Sequence, residues 1–264
     1  MEQGQVTEEG KLVVIEGPDF SGKTTVVAEA EKFFGDRLIT TREPGGKKGF
    51  APLSLKFRVI ALESEYARVA SGEETSAFMW ASRVAHIFEL ILPALLAGKN
   101  VLCDRFAPST WAYNIVAQKA PGLKKHFWLL YDLIVGEVEP HLYIYFDVTP
   151  EEVARRKMMN RPDKKNHMDE KDLEFQMAMR AGFQEFFEEL AKRKGRICHV
   201  VIDANQSPEK VLQDVKLIKL VDDQSKKRTV EKFRKKLKDA FKDIELHQKG
   251  KLQLKSLGEL LDEL

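Results

Sequence analysis

The sequence is short of cysteine, of unbalanced charge and of long apolar runs, and each shortage argues against a class of function. Two cysteines in 264 residues, Cys103 and Cys198, each lie in an apolar strand-like run without metal or redox spacing. That argues against a disulfide scaffold or a thiolate metal centre, and buried thiols of a reducing compartment such as the cytoplasm are expected. Lys and Arg total 43 against 41 Asp and Glu, a net charge of +2. Overall charge therefore gives no footprint for nucleic acid, and no nucleic-acid partner is expected. The longest helical apolar run, residues 87–96, is broken by Glu89 and Pro93, and residues 1–10 are polar and acidic. Neither a membrane span nor a signal peptide is expected. The six histidines are scattered without ligand spacing, which leaves nucleotide-bound Mg²⁺ as the one metal to consider.

What is present begins with Gly17-Pro18-Asp19-Phe20-Ser21-Gly22-Lys23-Thr24, directly behind the apolar run at residues 12–16 and directly ahead of a helical pattern opening at Thr25. A glycine-rich turn with a following lysine also occurs in surface loops. Here the strand in front and the helix behind supply the context of a phosphate loop, spaced G-x-x-x-x-G-K-T. Backbone N–H groups of this loop would curl round a polyphosphate at the positive end of the helix, with Gly17 through Thr25 as its expected contacts, although Pro18 has no N–H to donate. Lys23 would reach the β and γ phosphates, and the Thr24 hydroxyl would hold Mg²⁺.

Farther along, a strand over 37–41 ends in Arg42-Glu43-Pro44-Gly45-Gly46, which places an arginine where open α/β sheets bind ligands. Helical spacing covers 52–70 and 76–97, the second closed by Gly98. Arg83 and His86 lie three apart on it, so one side of that helix is expected to face a cavity. The strand over 100–103 delivers Asp104-Arg105, and Asp104 is a candidate for Mg²⁺ with an ordinary strand-end ion pair as the alternative. Helices over 109–118 and 123–135 precede a strand over 142–147. Thr149-Pro150-Glu151-Glu152 then opens a helix that runs into the basic stretch 155–165, read as a cationic flap or as a solvated basic loop. A helix over 170–194, a strand over 198–202 and a helix opened by Ser207-Pro208-Glu209 complete the alternation. It predicts an α/β fold with a parallel, doubly wound sheet. Residues 1–10 are expected as a flexible tail and 11–221 as the nucleotide domain. Residues 222–264 are expected as a charged amphipathic helical extension that folds back or builds an oligomer contact, with a membrane-surface or nucleic-acid role as other readings.

Taken together, Glu16-Gly17 with Asp19, the Arg-Glu-Pro-Gly-Gly loop, Trp80-Ala81-Ser82-Arg83, Asp104-Arg105 with Ser109 through Asn114, and Asp203-Ala204 resemble the thymidylate kinases of the P-loop nucleoside monophosphate kinase group over residues 11–221. The resemblance implies a P-loop NTPase fold, a five-stranded parallel sheet flanked by helices and assembled as a homodimer. It also implies Mg²⁺-dependent transfer of the γ-phosphoryl group of ATP to dTMP. By the same resemblance Asp19 would contact the sugar 3′-hydroxyl, Arg42 and Arg105 would grip the acceptor phosphate, and Arg83 would bond the pyrimidine carbonyl edge. Phe78, Met79, Ser109, Tyr113 and Asn114 would complete the acceptor site, and Asp203 and Ala204 would belong to the ATP site. Lys23, Arg105, Asp19 and the flap arginines Arg156 and Arg161 would be catalytic. The chain departs from the family pattern at Met79, where a phenylalanine usually stacks on thymine, at Asn114 for glutamine, at Phe183 for tyrosine and at His167 for a flap arginine. Phe20 means that the loop supplies no catalytic arginine. These departures leave room for a 5-substituted dUMP, and they keep open a nucleotide-binding regulatory or assembly protein with a degenerate kinase site.

Overall fold

Five short segments rich in apolar and β-branched residues, each ending in a charged residue, form the strands β1 Leu12–Glu16, β2 Leu38–Arg42, β3 Asn100–Asp104, β4 Leu142–Asp147 and β5 His199–Asp203. The computed structural model describes residues 9–46, 51–160 and 173–217. The chain divides into two units, residues 1–219 and 220–264, and all described residues lie in the first. Its sheet is parallel throughout, in the order β2-β3-β1-β4-β5, as the alternation of strands and helices predicts. The charged ends Glu16, Arg42, Asp104, Asp147 and Asp203 thus come out along one edge.

The helices are α1 Lys23–Phe34, α2 Pro52–Arg58, α3 Gly72–Leu96, α4 Ala107–Ser109 continuing as a wide turn over Thr110–Ala117, and α5 Lys124–Leu130 continuing over Tyr131–Val135. After them come α6 Pro150–Asn160, α7 Leu173–Lys194 and α8 Pro208–Leu217. Side chains alternate across the sheet, so β1 sends Leu12 and Val14 to one face and Val13 and Ile15 to the other. The first face packs on α3, α4, α5 and α7 through Ile91, Trp111, Phe127 and Phe186. The second packs on α1 and α8 through Val26 and Val211.

Boundaries differ from the sequence expectation where a specific group intervenes. The helix expected from residue 76 opens at Gly72, because Ser71 accepts the Glu74 N–H while Glu74 reaches back to the Ser71 N–H, a capping box. Pro93 lacks the N–H that the Glu89 carbonyl would accept, and the helix widens into a π turn over Ile87–Ile91. The helix expected over 52–70 is interrupted where Ser64 adopts extended backbone. By length and composition α3 could cross a bilayer, yet 56% of its apolar window is buried in the fold.

Glycine is required where α7 crosses α4. A Cβ on Gly182 would lie 2.9 Å from the Ala112 Cα and 3.0 Å from the Val116 Cβ, so the two helices approach at backbone distance. Next to that crossing sits Phe186, fully buried, stacked on Trp128 at 5.3 Å and edge-on to Phe187 at 5.3 Å. Phe186→Ala should lower unfolding stability by about 3–5 kcal/mol, the range for emptying a buried aromatic site. Urea denaturation checks this as a fall in midpoint at an unchanged slope.

Candidate active site

Two cavities open at the carboxyl ends of the strands, and they share Asp19, Arg42, Arg58 and Arg105. The first is lined also by Glu43, Met79, Arg83, Ser109, Thr110, Tyr113 and Asn114. The second runs along the loop from Asp19 to Thr25 and takes in Asp104, Arg156, Asn205 and Gln206.

Arg105 is the junction. Its backbone is left-handed at φ 72°, a conformation costly for a residue with a side chain, and its N–H donates to the Ile15 carbonyl at 2.9 Å. The guanidinium donates from Nη2 to Asp19 Oδ1 at 2.8 Å and from Nη1 to Tyr113 Oη at 3.1 Å and Ser109 Oγ at 3.3 Å. It also lies 5.0 Å from the Tyr113 ring centre. The facing cation holds the Asp19 carboxyl down to about 2, so Asp19 is an anion at any working pH.

Glu16 holds the turn after Arg105 from below. Buried completely, its Oε1 accepts from the Phe106 N–H at 2.6 Å and the Ser109 N–H at 3.3 Å, and its Oε2 accepts from Ser109 Oγ at 2.7 Å. Burial raises its pKa to about 7, against the opposing pull of Arg105 and these donors. Lys23 is also buried, and its ammonium donates to the carbonyls of Gly17 at 2.9 Å and Pro18 at 2.5 Å. Burial, with Arg105 nearby, lowers it to about 8.

On the other cavity wall, Arg83 donates to Glu43 Oε2 at 2.9 Å and to Thr110 Oγ1 at 3.0 Å, and its Nη1 is buried without a partner. Arg58 donates to the Pro44 carbonyl at 3.0 Å and to Glu63 at 3.1 Å. Burial and the neighbouring Arg42 depress its pKa. Gly45 makes room for it: at φ 104° a Cβ would stand 2.6 Å from the Arg58 Cδ.

Most of the residues expected at the site are brought together, with exceptions. Phe78 does not line the acceptor cavity, because the helix turns Met79 and Arg83 toward it instead. His86 lines neither cavity; it is fully buried behind Glu43. Asp203 and Ala204 do not line the second cavity, whose wall is Asn205 and Gln206. Asp203 instead accepts from the Asn205 N–H and side-chain amide and shapes that turn. Gly17 and Pro18 contribute carbonyls to Lys23 and no lining. Arg156, expected on a flap, donates to the carbonyls of Phe20, Ala204 and Gln206 and pairs with Glu152 at 2.6 Å. It therefore ties the phosphate loop to the turn after β5. Arg161 and His167 lie outside the described residues, as does the extension over 222–264.

The thymidylate kinase family profile matches residues 15–215, and those residues contain every side chain of both cavities. The chain belongs to the thymidylate kinase family. Among curated relatives, the thymidylate kinase of Limosilactobacillus reuteri (strain DSM 20016) is 34% identical over 214 residues, covering 79% of this chain and 94% of that protein. That of Geobacillus thermodenitrificans is 32% identical over 208 residues, covering 78% and 87%. That of Clostridium novyi is 33% identical over 211 residues, covering 78% and 97%. This family of nucleoside monophosphate kinases phosphorylates dTMP with ATP as donor, and nothing in these comparisons favours a degenerate regulatory protein.

Sequence reasoning assigned no role to Glu16, Glu43, Arg58 or Thr110. The available signal was a charged residue closing an apolar strand for Glu16 and a cation within an apolar helical pattern for Arg58. The pH dependence of stability tests Glu16. Its ordinary value is 4.5, so between pH 4.5 and 7 the folded chain keeps a proton that the unfolded chain releases, and stability falls as pH rises through that window. Glu16→Gln should remove this slope, on the order of 2 kcal/mol between pH 5 and 7.5. Urea unfolding of both proteins at the two pH values measures it.

Proposed function

We propose that this kinase transfers the γ-phosphoryl group of ATP to dTMP, with 5-substituted dUMP as a second acceptor, across the boundary marked by Asp19, Arg42, Arg58 and Arg105. The observation that carries the reading is that these four side chains line both cavities. The phosphate-loop cavity takes the triphosphate, and the cavity of Arg83, Met79 and Tyr113 takes the acceptor nucleoside. Arg42, Arg58 and Arg105 surround the acceptor phosphate and offset the repulsion between two polyanions. Asp19, ionised and held by Arg105, accepts from the sugar hydroxyl. Lys23 exchanges its loop carbonyls for phosphate oxygens. No covalent intermediate is needed, because alignment and charge stabilisation account for phosphoryl transfer.

For Mg²⁺ the fit is good: Asp104 Oδ1 is buried without a partner, and Thr24 lines the same cavity. Thr24 and Asp104 would hold an ion bound otherwise through phosphates and water. The ion would neutralise phosphate charge. Arg156 braces the ATP side, and Arg161 is the remaining flap arginine. Arg83 Nη1, a donor without an acceptor, suits the C4 carbonyl of a pyrimidine. Met79 gives an adaptable wall at the base. The kinase domain is taken as residues 11–221 of a cytoplasmic homodimer, and the exposed Phe88, Leu129 and Leu133 are apolar surface that a second copy would cover.

ADP release with Mg-ATP should be fast with dTMP, and 5-hydroxymethyl-dUMP should follow within about tenfold in kcat/KM because Met79 repacks. A larger gap would remove the second acceptor. Arg105→Ala should lower kcat by about 10²–10³, the cost of one charge-stabilising donor. Turnover near that of the parent would overturn the assignment of Arg105.

A further inference from the structure

The buried polar groups behind Arg83 form a connected chain through Glu43 and His86 to Thr41. Arg83 is 2% exposed and lies between the Trp80 ring at 4.5 Å and the Phe106 ring at 5.3 Å. Nε and Nη2 are committed to Glu43 and Thr110, which leaves Nη1. Glu43 is itself anchored, its N–H donating to the Asp104 carbonyl at 2.9 Å. Its second oxygen faces His86 Nδ1 at 3.3 Å, and His86 Nε2 is 2.7 Å from Thr41 Oγ1. Arg83 and His86 are one turn apart on α3, so both reach the one carboxylate. The carboxylate can only accept, so Nδ1 carries a proton toward it, and in the neutral ring Nε2 accepts from the Thr41 hydroxyl.

We infer that Thr41, His86 and Glu43 form a positioning relay that locks the Arg83 guanidinium and so sets the discrimination between a carbonyl and an amino group at C4 of the acceptor pyrimidine. The inference rests on the reading that Arg83 faces the base. A C4 carbonyl accepts from Nη1, whereas a C4 amino group brings donor against donor. That rejection holds only while the guanidinium cannot swing aside. A buried ion pair is weak evidence for stability, since apolar residues of like volume often do as well. Two partners on one carboxylate, with the aromatic rings fixing the guanidinium plane, account instead for orientation. Glu43 borders the acceptor cavity and His86 does not, and in this scheme both act through Arg83.

The experiment compares kcat/KM for dTMP and dCMP on full-length Arg83→Gln, Glu43→Gln, His86→Leu, His86→Asn and the Arg83→Gln/Glu43→Gln double variant. Arg83→Gln should collapse the dTMP:dCMP ratio. Glu43→Gln and His86→Leu should each reduce the ratio about tenfold through KM for dTMP, with KM for ATP unchanged within about twofold. His86→Asn, which keeps a donor toward Glu43, should retain the ratio, and the double variant should be no worse than Arg83→Gln alone. Equal loss on dTMP and dCMP, or effects that multiply in the double variant, would reduce the relay to a structural element. If His86→Leu fails to fold, Glu43→Gln and His86→Asn still decide. An unchanged ratio in Arg83→Gln would overturn the base-reading assignment itself, and the relay with it.

Discussion

The contact between Arg105 and Asp19 joins the phosphate loop to the end of β3, and most of the site takes its geometry from it. Arg105 reaches Asp19 because its backbone is held in the left-handed region by the Ile15 carbonyl on one side and by the Glu16-bound turn on the other. The first residue after β3 is thus fixed by the last two residues of β1. A cost in backbone conformation, persisting only where the surroundings over-determine it, aims one guanidinium at two cavities.

The four side chains common to both cavities are three arginines and one aspartate. Arg42, Arg58, Arg105 and Lys23 converge, and the ammonium of Lys23 and the guanidinium of Arg58 are both depressed by burial and by neighbouring cations. Glu16 opposes them from beneath but is itself raised toward neutrality by burial. The site therefore favours incoming anions, and phosphate groups relieve the repulsion among its cations.

Much of this was legible in the sequence because the information is local. The strands are runs of apolar and β-branched residues with charged ends, and the phosphate loop declares itself by spacing and by the elements that flank it. The sheet order and the pairing of Arg42 with Asp104 across β2 and β3 need the fold. Phe78 is expected at the base only as the neighbour of Met79, and one position earlier on α3 it is turned away from the cavity that Met79 and Arg83 line. Asp203 and Ala204 were read as ligand groups, whereas Asp203 builds the turn that sets Asn205 and Gln206 at the wall. Glu16 could not be found as a support for Arg105, because its partners Phe106 and Ser109 are 90 and 93 residues away in sequence.

The backbone-distance crossing at Gly182 has a consequence for how the acceptor range can drift. Phe183 follows that glycine, is fully buried and meets the Tyr113 ring at 6.2 Å, while Tyr113 bonds Arg105. Enlarging the pocket on this side would mean repacking two helices that have no slack between them, and it would disturb the phosphate clamp as well. Met79 lines the same cavity from α3 and is partly exposed and adaptable. New acceptors are thus easier to admit through one wall than the other, and an evolving lineage would be expected to change its substrate at Met79 while leaving Tyr113 alone.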